Sequence, residues 1–180
     1  MKRFLVLAAC LLAMPTAFAA VQGDVGAYLW KGAKDTGGIG IQGHAQLGSP
    51  FFVHGMLENG DRGDKDSTEI RLGGGVSRLL SRTVAVWGGA EFIKVDFEAT
   101  GLDESGFGLF GGAAFSPAND LWLTTEFGIV DVDDTEGSEW AAGMAYAIAK
   151  PFSLTLKRRE AFDGGITDTQ IGVSYSFGGM

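Results

Sequence analysis

Residues 39–57 read IGIQGHAQLGSPFFVHGML. On one side of Gly48-Ser49-Pro50 stand Ile39, Ile41, Gly43, Ala45 and Leu47, alternating with Gly40, Gln42, His44 and Gln46. Beyond it the same two-residue rhythm resumes in Phe51, Val53, Gly55 and Leu57. A period of two means extended chain with two unlike faces, and a Gly-Ser-Pro break between two such runs means a tight hairpin. If Leu47 pairs with Phe51 across that turn, Ala45–Val53, Gly43–Gly55 and Ile41–Leu57 fall on one face. Gln46–Phe52, His44–His54 and Gln42–Met56 then fall on the other. A one-residue slip would mix the faces throughout, so the pattern fixes the register.

Working outward, the rhythm predicts ten strands near 24–34, 37–47, 51–58, 68–78, 84–97, 105–115, 121–131, 139–148, 152–162 and 167–177. Most approach the roughly 9–11 residues that let a tilted strand cross a bilayer. The connections alternate. Gly48–Pro50, Leu79–Thr83, Ser116–Asp120 and Ala149–Pro151 are short. Segments 59–67, 98–104, 132–138 and 163–166 are read as loops, most of them longer and acidic. The fold expected is all-β, a single antiparallel up-and-down transmembrane barrel. Strand one does not declare a face, and without it the count falls toward eight. Across Leu79–Thr83 the expected pairs are Val76–Val86, Gly74–Gly88 and Leu72–Ala90 on one face, Gly73–Gly89 and Arg71–Glu91 on the other.

The inverted arrangement, apolar side outward, follows from three features. The other register is filled with small residues such as Ala141, Gly143, Ala145 and Ala147, which suit a narrow interior better than a solvent face. Aromatics gather at strand ends: Phe51, Phe115, Phe152, Tyr175 and Phe177 toward the short turns, Trp140 toward the other rim. The last strand, Ile171-x-Val173-x-Tyr175-x-Phe177, ends on an aromatic, as does the signal read by outer-membrane assembly machinery, although Gly178-Gly179-Met180 follow it.

Residues 1–19 have the layout of a secretion signal: Lys2 and Arg3, an apolar run from Phe4 to Met14, and Ala17-Phe18-Ala19 as a cleavage site. The barrel domain is then 20–180, Sec-exported to the outer membrane. Leu7-Ala8-Ala9-Cys10 mimics a lipobox, but the apolar run before Cys10 is too short and continues past it. Removing the signal takes Lys2 and Arg3 from 14 basic residues and none of the 22 acidic ones, so the remainder carries −10. That balance excludes nucleic acid as a partner. The chain's single cysteine, Cys10, leaves with the signal. Mean hydropathy of +0.14 is ordinary for a barrel in which only alternate residues meet lipid.

The stretches FFVHGMLENGD (51–61), STEIRLGGGVSRLLSRTVAVWGGAEF (67–92), SGFGLFGGAAFSPANDLWL (105–123) and QIGVSYSF (170–177) resemble small outer-membrane β-barrel proteins of the xanthomonad-type and opacity-like groups. The resemblance covers about residues 37–177. Its motifs are strand–turn–strand motifs, so it implies fold and location and carries no active site over.

The interior register supplies the residues that could carry function: His44, His54, Glu69, Arg71, Glu91, Glu126, Glu139, Lys157 and Arg159. His44 and His54 are expected opposite each other, roughly 10 Å above the turn. As a pair they could sense protons or hold a metal, but two histidines without cysteine or a placed carboxylate make a poor zinc site, and no metal or cofactor is expected. Arg71 and Glu91 are expected cross-strand partners. Lys157 and Arg159 face Gly143 and Ala141, whose smallness lets long side chains cross the lumen. Ten strands enclose little more room than eight, where side chains fill the interior. The expectation is a lumen closed by ion pairs, with every charge paired. A narrow pore for small polar solutes is the alternative and a barrel enzyme the third reading. No GxSxG, HExxH or phosphate loop is present, both histidines lie toward the short-turn half, and no catalytic residue is expected. Partners expected are outer-membrane lipid and lipopolysaccharide, the assembly machinery at the C-terminal strand, and an extracellular ligand at the acidic loops, with the chain a monomer. Arg62-Gly63-Asp64 is taken as a chance tripeptide.

Overall fold

The computed structural model describes residues 21–32, 36–62, 65–97, 102–133, 135–161 and 167–178. The secretion signal, the Gly63-Asp64 part of the RGD tripeptide and the whole of 163–166 lie outside them. Ten strands follow one another: β1 (Gln22–Gly32), β2 (Gly37–Gly48), β3 (Phe51–Arg62), β4 (Lys65–Leu79), β5 (Val84–Phe97), β6 (Leu102–Ala118), β7 (Leu121–Val132), β8 (Thr135–Ala149), β9 (Phe152–Ala161) and β10 (Asp168–Phe177). Each pairs antiparallel with its neighbours in sequence, and β1 pairs with β10, from Gly23↔Phe177 to Gly32↔Asp168, to close the barrel. Closure satisfies the backbone groups that an open edge would leave unpaired. The undeclared first strand is therefore a full stave.

The first hairpin has the expected register from Gln46↔Phe52 to Ile41↔Leu57, with His44↔His54 between. Its tip differs. Gly48, not Leu47, stands opposite Phe51 across a bulge. Gly48 has φ +121°, which L residues with a side chain rarely adopt. The β4–β5 register is displaced by two: Gly75↔Gly89, Gly73↔Glu91 and Arg71↔Ile93 replace the expected pairs. The connection is wider than a minimal turn, with Leu80 and Ser81 donating to the Val84 carbonyl. A shift of two leaves every side chain on its predicted face, so patterning alone could not reveal it.

The other rim also departs from expectation. Segments 59–67 and 132–138, read as loops, are largely strand, with pairing continuing to Arg62↔Lys65 and Val132↔Thr135. In 98–104 only residues 102–104 are described, and they too are strand, with Phe97↔Leu102 paired. A hydrogen-bond ladder can continue beyond the point where one face must be apolar, and there alternation carries no signal. At the β3–β4 tip Asp61 faces Asp66. A hydrogen bond that the protonated Asp61 carboxyl donates to Asp66, together with the charge of Asp66, holds Asp61 above the usual carboxylate range.

The faces are assigned by burial. Leu29, Leu72, Leu109, Ile129, Ile171 and Phe107 are exposed on the outside. Phe51, Phe115 and Phe152 are exposed near the short turns, where Phe152 and Tyr175 meet edge to face at 5.4 Å. A belt of exposed apolar side chains around a closed barrel is the reverse of a water-soluble surface. The packed interior lies toward the long-hairpin rim, where Trp30, Ile93, Glu58, Glu69 and Asp168 are almost wholly buried.

Candidate functional site: the barrel lumen

All nine residues expected on the inner register line the lumen, and their strands stack them in three tiers. The tier nearest the long-hairpin rim centres on Arg159 of β9. Its Nε and Nη2 donate to Asp168 Oδ2 at 2.9 and 2.7 Å, and Nη2 donates to Glu58 Oε2 at 2.9 Å. Tyr28 Oη and Gln170 Nε2 donate to the second Glu58 oxygen at 2.9 and 3.2 Å. Glu58 is 1% exposed and Asp168 0%. Four strands, β1, β3, β9 and β10, thus meet on one carboxylate across the bore.

The middle tier centres on Arg71 of β4. Nε donates to Glu69, Nη1 to Glu91 at 3.1 Å, and both Nη1 and Nη2 to Glu139, the latter at 3.1 Å. Glu91 is indeed a partner of Arg71, but a diagonal one. The residue opposite Arg71 is Ile93, which with Val95 packs the interior beside the charges. Glu139 on β8 is reached across the lumen.

These two tiers hold five carboxylates, Glu58, Glu69, Glu91, Glu139 and Asp168, against two guanidiniums. Each of these carboxylates has an ion-pair partner, and each guanidinium is shared among several of them. Sharing satisfies more donor–acceptor sites than one-to-one pairing, because Arg presents five N–H donors in a fixed fork. One oxygen, Asp168 Oδ1, is buried without a hydrogen-bond partner among the described residues.

Below them lies a cup of about 770 Å³, reaching from Gln46, Arg78, Asp120 and Ser176 at the short-turn rim up to Arg71 and Glu139. In it Glu126 accepts from Lys157 Nζ and from Trp87 Nε1, both at 3.3 Å. Lys157 and Arg159 stand opposite Gly143 and Ala141, as expected.

His44 and His54 are register partners, but each turns toward a carboxylate of another strand. His44 Nδ1 lies 3.6 Å from Asp24 Oδ2, and His54 Nε2 lies 3.7 Å from Glu91 Oε2. Their rings join an aromatic row: His44 to Phe52 at 5.1 Å, His54 to Phe110 at 4.8 Å. Among the described residues no group of three or more His, Cys, Asp or Glu is placed to hold a metal.

Sequence reasoning missed Glu58, Asp168, Tyr28, Gln170 and Trp87. The signal existed for four of them. Glu58 continues the inner series His54–Met56, Asp168 precedes Gln170 by two in the inner register of β10, and Trp87 precedes Glu91 by four. Tyr28 sits on the strand whose face was undeclared.

No protein-family model and no curated protein matches the sequence. Solved structures do match by shape. The chain is similar to the KdgM porin in complex with disordered oligogalacturonate, at 10% identity and a TM-score of 0.53, with 86% of this chain and 99% of that one covered. It is similar to an outer membrane channel from Pseudomonas putida F1, at 11% identity and a TM-score of 0.53, covering 91% and 99%. The NanC porin matches at 9% identity and a TM-score of 0.50, covering 88% and 100%. At such identities the likeness is one of fold: this chain has the closed antiparallel barrel that those porins and that channel have.

Proposed function

We propose that this chain is an outer-membrane β-barrel of structural or surface-interaction type, of the small xanthomonad-type or opacity-like kind, whose lumen is closed by ion pairs. The observation that carries the reading is the pair of tiers around Arg159 and Arg71. Charged side chains from six of the ten strands meet in the bore, and Glu58, Glu69 and Asp168 are at most 2% exposed. The exposed apolar belt supports contact with membrane lipid, and lipopolysaccharide is the lipid expected at the outer leaflet. The long-hairpin rim carries the acidic residues Asp61, Asp66, Asp96 and Asp131, an exterior surface for a ligand outside the cell. Export by the secretion signal, assembly through the aromatic-ended β10 and a monomeric state belong to the same proposal, as does the absence of catalysis.

A second reading, a narrow pore for small polar solutes, is favoured by the 770 Å³ cup and by the porin fold of the structural neighbours. Swelling of proteoliposomes in iso-osmotic arabinose separates the two. The closed barrel predicts swelling no faster than that of empty vesicles. Rapid swelling by the wild-type chain would establish the pore instead.

A further inference from the structure

The cup beneath the ion-pair tiers has two dissimilar walls. On the β3–β6 side Phe52, His54, Phe110 and Trp87 form an aromatic wall, with Phe52 and Phe110 edge to face at 6.2 Å. These rings lie against bare backbone. A Cβ at Gly73 would fall 2.4 Å from His54 Nε2, at Gly89 2.8 Å from Phe110 Cζ, and at Gly112 2.4 Å from Trp87 Cζ2. Glycine at these positions leaves space for the rings along the wall, and the backbone behind them limits their freedom. On the β7–β10 side Trp122 stands near the rim and the rest of the wall is rich in hydroxyls, Thr124, Ser153, Thr155, Ser174 and Ser176, interleaved with alanine and glycine. Between the walls the Glu126–Lys157 pair, each about a third exposed, faces the cavity with donor and acceptor capacity to spare.

We propose that this cup is a binding site for neutral pyranose sugar, entered from the short-turn rim. A pyranose ring has a C–H face, which packs on aromatic rings, and an edge of hydroxyls, each both donor and acceptor. The two walls match those two aspects, and the Glu126 carboxylate and Lys157 ammonium suit adjacent hydroxyls. The volume lies within the range of about 300–1,000 Å³ usual for small-molecule sites. Charge selects the neutral class. The carboxylates of the lining, Asp24, Glu91, Asp120, Glu126 and Glu139, are nearly balanced by Arg71, Arg78, Lys157 and Arg159. The hydroxyls and the ion pair would be left without partners by a lipid chain and are satisfied by a sugar. Rings already confined against the wall lose little freedom on binding, which favours affinity. The site does not depend on whether the tiers above it conduct.

The test uses the full mature chain refolded in an amine-oxide detergent, because sugar-headed detergents would occupy the cup. Calorimetric titration with maltotriose and with cellotriose is expected to give saturable binding of at least one. Trp87→Leu or Phe110→Leu should weaken it about tenfold, as loss of a central aromatic contact does. Asp66→Asn, at the opposite rim, should leave it unchanged. Folding of each variant is checked by its altered gel migration before boiling. Absence of saturable binding by both sugars overturns the proposal. So does unchanged affinity in a folded Trp87→Leu or Phe110→Leu chain, or tighter binding of a uronic-acid or amino-sugar trisaccharide than of either neutral one.

Discussion

Arg159→Ala is expected to lower the unfolding free energy of the barrel by about 3–5 kcal/mol, the usual cost of removing one member of a buried ion pair. Urea titration in lipid vesicles would measure it. Arg159 pairs with both Glu58 and Asp168, and both carboxylates are essentially without solvent. Its loss leaves two negative charges facing each other in a dry bore. Tyr28 and Gln170, which also donate to Glu58, are neutral and cannot replace a guanidinium. Most of the effect should be the penalty of the stranded carboxylates, not the worth of the pair itself. Arg159→Met combined with Glu58→Gln and Asp168→Asn is therefore expected to recover most of the loss. A triple variant as unstable as the single one would place the stabilisation in the guanidinium's packing instead.

Arg71→Ala should act on both stability and permeability. Glu69, Glu91 and Glu139 converge on this one side chain from β4, β5 and β8. Removing it leaves three like charges between the cup and the Arg159 tier. The expected destabilisation is again about 3–5 kcal/mol. The vacated volume joins the top of the cup, and mutual repulsion drives the carboxylates apart and draws in water and cations. Cation-selective current is expected from Arg71→Ala in planar bilayers, rising further when Arg159 is also replaced. A folded Arg71→Ala barrel as silent as the wild type would mean that the Arg159 tier and the packing of Ile93 and Trp30 close the lumen by themselves.

The parts of this fold legible in the sequence are those set by period two. The strands after the first, and the face of their inner residues, follow from which side chains must avoid lipid, whereas β1 declares no face and left the count between eight and ten. Arg71, Glu139 and Arg159 could be assigned to the interior without any structure. Two things were not legible. The β4–β5 register slipped by two because both pairings put glycine opposite glycine and keep the same faces, so nothing in the pattern penalised the wrong one. The ends of the hairpins at the acidic rim were placed short because β pairing there is carried by backbone hydrogen bonds alone. The site itself was half visible. Inner charges could be counted, but their sharing depends on which side chains reach across the bore. Arg71 to Glu139 and Arg159 to Glu58 join strands that share no ladder, and strand patterning says nothing about such contacts. Glu58 illustrates the loss: read as the last residue of its strand, it is the acceptor around which the upper tier is built.

Single-channel recording of the refolded wild-type chain in a planar bilayer tests the closed lumen most directly. The bilayer is expected to stay electrically silent after confirmed insertion, under conditions in which Arg71→Ala conducts. Steady unitary current steps from the wild type would contradict it.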